Sequence, residues 1–191
     1  MLNINIKHSF IAASQEQAAK DSLKSGDRYY KAGYYKKAII PYLTAIDFFK
    51  DDAELNFKLG HSYLNSPIKT NARQYLQKAY ELNNKVDEDV VFELARAYHY
   101  EHDWVNAEKY YRESVEAGNR NIDEYIAQCE YGKQLASEPI NVTIEDLGGE
   151  INSPFADYAA GITADGKKIY FTSRRPETTG AAYDHVIDRS E

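Results

Sequence analysis

The stretch Leu59-Gly60-His61-Ser62-Tyr63, followed by Ala72, Leu76 and Ala79, decides the fold. Gly60 and Tyr63 are three residues apart, so on a helix they share a face. Ala72, Leu76 and Ala79 have the same spacing on a second helix. Gly60 has counterparts at Gly26 and Ala95, at steps of 34 and 35 residues. The same two steps join Tyr29, Tyr63 and Tyr98, and also Ala38, Ala72 and Ala107. They join Tyr42, Leu76 and Tyr111, and Ala45, Ala79 and Ser114. A fixed period in this range marks a stack of supersecondary units. One residue is inserted near Lys85-Val86-Asp87.

Each unit reads as two helices. Helix A covers about 15–32, 53–65 and 88–101; helix B covers about 35–50, 69–82 and 104–117. Asp51, three before Glu54, and Asp87 are start signals. Gly33 and Ser66-Pro67 mark the A–B turns. Gly118 ends the third helix B, and Asn121 with Glu124 starts a further helix over about 122–136. That helix caps the last apolar face, with Cys129 in a small-residue slot and buried. Pro41 falls inside the first helix B and is expected to bend it. The small residues let helices A and B approach closely, and the tyrosines fill the space beside each crossing.

Composition narrows the function. The 23 Lys+Arg against 30 Asp+Glu give a net charge of −7, unlike a chain that sheathes nucleic acid. No window of about 20 apolar residues exists to span a bilayer as a helix. One cysteine, Cys129, allows neither an intramolecular disulfide nor a cysteine zinc cluster. Tyrosine is abundant, 17 against 7 Phe, and much of the excess falls in the repeat columns. Residues 1–18 read as an N-terminal arm, in which Leu2, Ile4 and Ile6 alternate with polar residues like a short strand. The run Phe10-Ile11-Ala12-Ala13 is too short for a secretory signal, which needs about 7–15 apolar residues.

Catalytic chemistry finds no support. G-x-S-x-G, H-E-x-x-H and Walker patterns are missing, and no cofactor is implied. His99 and His102 are i,i+3 at a helix end and could begin a zinc site, but an exposed helix terminus explains them as well. Asp51-Asp52 and Glu145-Asp146 are adjacent pairs, which do not face each other on a helix. The chain is therefore read as non-enzymatic, with no catalytic, cofactor or metal site.

A binding face is better defined. Off the core stripe, helix A residues form columns: Leu23, Phe57, Phe92; Asp27, His61, Arg96; and Tyr30, Leu64, His99. Lys58 and Glu93 flank them, and Tyr100 joins Tyr30 as a candidate for ligand contact. The expected site is a groove along this face with Phe57 and Phe92 as its floor, unless the N-terminal arm or the C-terminal segment covers them. A protein or peptide partner is expected there.

The repeated columns resemble the tetratricopeptide repeat, W-x2-L-G-x2-Y, A-x3-F and P. The second unit matches best, with Leu59-Gly60, Tyr63, Ala72, Leu76 and Ala79. The first unit has Ser22 and Ser25 where Trp and Leu are usual. Lys50, Asn84 and Asn119 replace the closing Pro. The resemblance covers about residues 19–119. It implies a mainly α, tetratricopeptide-type solenoid of three helix pairs plus a capping helix over 19–136. It also implies that the A helices line the concave side. Some relatives clamp a C-terminal carboxylate there with Lys, Asn and Arg; here Leu23, Asp27, Asp89 and Glu93 occupy several of those places. Only Lys58 suits the charge, so an acidic tail is a poor fit.

After Ser137 the helical period stops. Residues 137–150 read as a linker and 151–191 as an incomplete β segment, with an Asp165-Gly166 hairpin turn. The block from Asn152 to Tyr158, Thr163-Ala164-Asp165-Gly166 and Tyr170 to Arg175 is similar to the opening blade of TolB-like, WD-type β-propellers. Repeats followed by such a block resemble Bacteroidetes envelope proteins of the repeat–propeller–OmpA type. That resemblance implies a scaffold in a secretion or motility complex, in the periplasm or at the outer membrane, with a cytoplasmic location as the alternative. A propeller needs about four to eight four-stranded blades, so a fragment of a longer chain is expected. Residues after Pro176 are expected to pack poorly. The hairpin is expected to dock on the last helices or to pair by its edges with another chain.

Overall fold

The computed structural model describes residues 2–115, 122–149 and 151–176, with side chains from Ala13 onward. The chain falls into two compact units, Met1–Pro139 and Ile140–Glu191. The first is a helical solenoid in which successive helices pack on one another. Its helices are α1 (Leu2–Lys31), α2 (Tyr35–Ile46), α3 (Ala53–Leu64), α4 (Ala72–Leu82), α5 (Val90–Tyr100), α6 (Trp104–Val115) and α7 (Asp123–Ser137). Each packs against the next in sequence, and α3 also touches α5.

The small-residue columns do what their spacing predicts. A Cβ on Gly60 would stand 2.6 Å from Leu76 Cγ and 3.0 Å from the Leu76 backbone nitrogen. One on Gly26 would stand 2.5 Å from the Tyr42 ring. Ala38, Tyr42, Ala45, Leu59, Leu76, Ala79, Ala95 and Ala107 are all buried in one continuous core. Beside these crossings the tyrosines stack in register. Tyr63 lies on Tyr75 at 5.8 Å and 3°, and Tyr98 lies on Tyr110 at 5.4 Å and 13°. The matching pair in the first unit is Tyr29 and Pro41. Pro41 therefore replaces a stacking tyrosine, and α2 runs on through it.

Several local expectations need correction. The strand expected at Leu2, Ile4 and Ile6 is instead the first turns of α1. No glycine or proline interrupts the chain before Gly26, so alternation over six residues yields to helix propagation. Asp52, not Asp51, caps α3 by accepting from the Leu55 N–H at 3.0 Å, while Asp51 pairs with Lys78 at 2.9 Å. Asp89, not Asp87, stands at the start of α5, and Asp87 Oδ1 accepts from the Asp89 N–H at 2.9 Å. Cys129 is fully buried, but the close approach to α6 belongs to Gly132, whose Cβ would meet the Trp104 ring at 2.6 Å. Gly118, Asn121 and everything after Pro176, including His185, lie outside the described residues.

In the second unit, β1 (Asp157–Ile162) and β2 (Ile169–Ser173) form an antiparallel hairpin. The register pairs Tyr158 with Thr172 and Gly161 with Tyr170, so β1 carries one extra residue. Ala159, at φ 56°, absorbs this bulge. Gly166, at φ 69°, makes the turn, where Asp165 Oδ1 accepts from the Lys167 N–H at 3.1 Å. Asp157 accepts from the Ser153 N–H and hydroxyl, both at 2.8 Å. Hydrogen bonds from Ser173 and Ser153 hold its carboxyl far below the usual range. Ile162, Tyr158 and Tyr170 are exposed on this hairpin.

Candidate functional site

The candidate face spans α1, α3 and α5. Side chains on a helix lean toward its N-terminus, so residues late in α1 and α3 reach back over the middle of this face. The structure divides the twelve expected residues. Phe57, Leu64, Phe92 and Glu93 are buried, at 4, 1, 6 and 4% exposure. Leu23, Asp27, Tyr30, Lys58, His61, Arg96 and His99 are half-buried, and Tyr100 is exposed. The expected floor is therefore not an open surface. Neither the N-terminal arm nor the hairpin is needed to explain this. Phe92 packs on Tyr111 at 5.6 Å and on Tyr125 of α7 at 5.3 Å, and Phe57 packs on His61 at 5.8 Å. The stack of repeats covers its own phenylalanines.

Three charged and aromatic groups make up this face. In the first, Asp27 Oδ1 accepts from the Tyr42 hydroxyl and from Lys58 Nζ, both at 2.9 Å. Lys58 also pairs with Glu54 at 2.6 Å. Burial works against the Lys58 charge, but the bonds to Glu54 and Asp27 outweigh it and raise the lysine above its ordinary value. Burial, and then the bond to Asp27, pushes the Tyr42 hydroxyl far up. In the second group, Arg96 donates to both oxygens of Glu93 at 2.9 Å. In the third, His61 sits among rings. Tyr30 lies at 5.4 Å, Tyr35 at 5.1 Å and Phe57 at 5.8 Å, and Tyr30 meets Tyr35 edge-on at 5.5 Å. His61 Nδ1 is buried with no hydrogen-bond partner. Burial lowers this imidazole's pKa from its ordinary value.

Sequence reasoning missed three residues of this face. Tyr35 is the first residue of α2, the position that Trp104 holds in the third unit. Asp87 and Asp89 precede α5, yet their carboxylates act on both Tyr30 and His61. The acidic run Asp87-Glu88-Asp89 is the signal in the sequence: Asp87 reads there as a helix start, and Asp89 stands at one of the places where relatives clamp a carboxylate. His99 and His102 each meet an aromatic side chain. His99 Nδ1 meets the Tyr111 hydroxyl at 3.2 Å, and His102 stacks on Trp104 at 5.1 Å. Among the described residues no group of three or more His, Cys, Asp or Glu is placed to hold a metal. No described helix is long and apolar enough to cross a membrane.

No protein-family model and no curated protein matches this chain. Solved structures do. The first tetratricopeptide domain of Spaghetti (RPAP3), bound to the HSP90 peptide SRMEEVD, is 21% identical with a TM-score of 0.49, over 64% of this chain and 96% of that one. The Sgt2 tetratricopeptide domain from Aspergillus fumigatus is 20% identical with a TM-score of 0.49, over 69% and 91%.

Proposed function

We propose that the chain is a non-catalytic protein-interaction adaptor whose α1–α3–α5 face binds a polypeptide partner. The observation that carries this reading is the row of half-buried polar and aromatic side chains across three successive A helices: Asp27, Tyr30, Lys58, His61, Arg96 and His99. A surface that partner-free packing alone required would not need to hold so many charged groups in ordered pairs. An acidic tail is a poor ligand for it, because Lys58 is already compensated by Asp27 and Glu54. The setting we propose is a bacterial envelope complex, periplasmic or outer-membrane-associated, with the hairpin opening a propeller blade. Its support is the sequence block 152–175 beside the repeats. The exposed hairpin edges then pair with further strands or another chain.

A structural spacer, linking a wall or outer-membrane anchor to a propeller, is the second reading. The burial of Phe57 and Phe92 favours it, since it removes the apolar anchors of a peptide groove. Peptide display on the full chain separates the two. Photo-crosslinkers are placed at Tyr100 on the A-helix face and at Val105 on α6, both exposed. The adaptor reading expects enriched peptides that crosslink from position 100 and not from 105. No enrichment, or crosslinking from 105 alone, supports the spacer.

A further inference from the structure

We propose that the surface around the first A–B turn, made by Arg28, Lys31, Tyr34, Lys36, Lys37 and Ile40, docks on an anionic phospholipid bilayer. This goes beyond the adaptor reading and does not depend on it, because none of these residues belongs to the row proposed to hold a polypeptide. The first argument is charge. From Arg28 to Ile46 the chain carries four cations and no Asp or Glu, although the whole sequence has 30 acidic residues. Asp27 borders the stretch but is engaged by Tyr42 and Lys58, and Asp47 lies beyond the end of α2. Among the described residues no carboxylate forms an ion pair with any of the four, whereas Lys20, Lys58, Arg73 and Arg112 elsewhere are all paired. A negatively charged surface is the complement of such a cluster.

The second argument is the apolar tip among these cations. Ile40 is 73% exposed, more than any other large apolar side chain described in the solenoid, and Tyr34 is 53% exposed. Lys36 and Lys37 precede Ile40 by four and three residues, so they share its face of α2. Lys37 Nζ lies over the Tyr34 ring at 5.1 Å, which presents cation and ring together. Surfaces that sit in the headgroup layer combine an apolar tip with basic neighbours in this way. The long stems of Arg28, Lys31, Lys36 and Lys37 let their charges reach lipid phosphates while Ile40 and Tyr34 enter the layer. An acidic polypeptide needs only the cations and gives Ile40 nothing to bury against. The net charge of −7 opposes approach of the chain as a whole to an anionic bilayer. Fields decay over about 10 Å at 0.1 M salt, so the patch acts locally and sets which end of the solenoid faces the lipid.

The test is co-sedimentation of the full chain, in about 0.1 M salt, with vesicles of phosphatidylcholine alone and of phosphatidylcholine mixed with phosphatidylglycerol. The mixed vesicles are expected to bind the chain and to release it in high salt, and the neutral ones are not expected to bind it. Lys36→Gln with Lys37→Gln should weaken binding about twenty-five-fold, about fivefold for each cation. Ile40→Ser should weaken it about tenfold, the scale of returning an isoleucine side chain to water. Lys85→Gln with Lys109→Gln alters two exposed lysines elsewhere, makes the same change in net charge, and should leave binding within about twofold. Thermal melts check that each variant keeps its fold, and the comparison of the two vesicles with the wild-type chain stands without them. No binding to the mixed vesicles overturns the proposal, as does equal binding to both preparations. So does an equal loss in the Lys85 and Lys109 control, or an Ile40→Ser chain that binds as wild type does. Capture of soluble polyglutamate that the Lys36 and Lys37 variant loses, without vesicle binding, would make the occupant an acidic polypeptide and overturn the bilayer.

Discussion

Replacing Gly60 by alanine sets two known effects against each other. In an exposed helix interior, Gly→Ala stabilises by about 1 kcal/mol, because alanine loses less backbone freedom on folding. At Gly60 the added methyl would stand 2.6 Å from Leu76 Cγ, 3.0 Å from the Leu76 nitrogen and 3.1 Å from the Ala72 carbonyl oxygen. Two of those atoms are backbone, so no rotamer change relieves the contact and α4 must retreat from α3. Overpacking of this kind costs about 1–3 kcal/mol. The sum is a net loss of about 1 kcal/mol, or about 3 °C in Tm for a chain of this size. Urea and thermal melts read it, with Gly149→Ala as the control, where a Cβ meets nothing within 4 Å. A second arm adds Leu76→Ala. Removing Leu76 clears the nearest atom, so the double variant should lose less than the two single losses together. A Gly60→Ala chain as stable as wild type, or strictly additive losses, would refute the close-crossing account of the repeat.

Stability should fall with acid before any carboxylate titrates. His61 and His99 are both held below 6.5 by burial, so the unfolded chain binds protons more readily than the folded one. Stability is then level above pH 6.5 and drops below it; urea midpoints at pH 7.5 and 5.5 should differ, and His61→Gln should narrow the gap. Tyr42→Phe removes the hydroxyl that donates to Asp27, while Lys58 still satisfies that carboxylate, so the melt should lose about 1 kcal/mol and no more. Cys129 is fully buried and burial raises its thiol above its ordinary value, so a thiol-reactive dye should label it only in denaturant; rapid labelling of the native chain would contradict the packing of α7.

The repeat was legible because its signal is redundant. Gly26, Gly60 and Ala95 each mark a crossing, and both glycines show the reason in distances: a Cβ would run into Tyr42 at Gly26 and into Leu76 at Gly60. The candidate face was legible only in part. Helical spacing places Leu23, Phe57 and Phe92 in one column but does not say what lies over that column. What lies over Phe92 comes from α6 and α7, through Tyr111 and Tyr125, which are 19 and 33 residues away. Periodicity within one helix carries no information at that range. Tyr35, Asp87 and Asp89 escaped for the opposite reason. They sit at helix starts, where local signals explain them fully, and only the reach of neighbouring side chains brings them to His61.

Aromatic contacts also show how the repeats are coupled. Tyr63–Tyr75 and Tyr98–Tyr110 are the same pair in successive units, and each lies between helices A and B of its own unit. Tyr80 meets Tyr110 edge-on at 5.5 Å and so ties the second unit to the third, and its hydroxyl donates to Glu113 at 2.7 Å. That bond, with burial, pushes the Tyr80 hydroxyl up to about 12. In a solenoid, stability is the sum of unit terms and nearest-neighbour terms. The first unit has Pro41 in the stacking position, so its A–B pair lacks the aromatic stack its neighbours have. It is joined to the second unit by the packing of α2 on α3, by Asp27–Lys58 and by the rings of Tyr30, Tyr35 and His61. The α1–α3 junction is thus held by charges and half-buried rings, the groups a partner can also engage. On the adaptor reading proposed above, binding at that face and docking of the first repeat would draw on the same contacts.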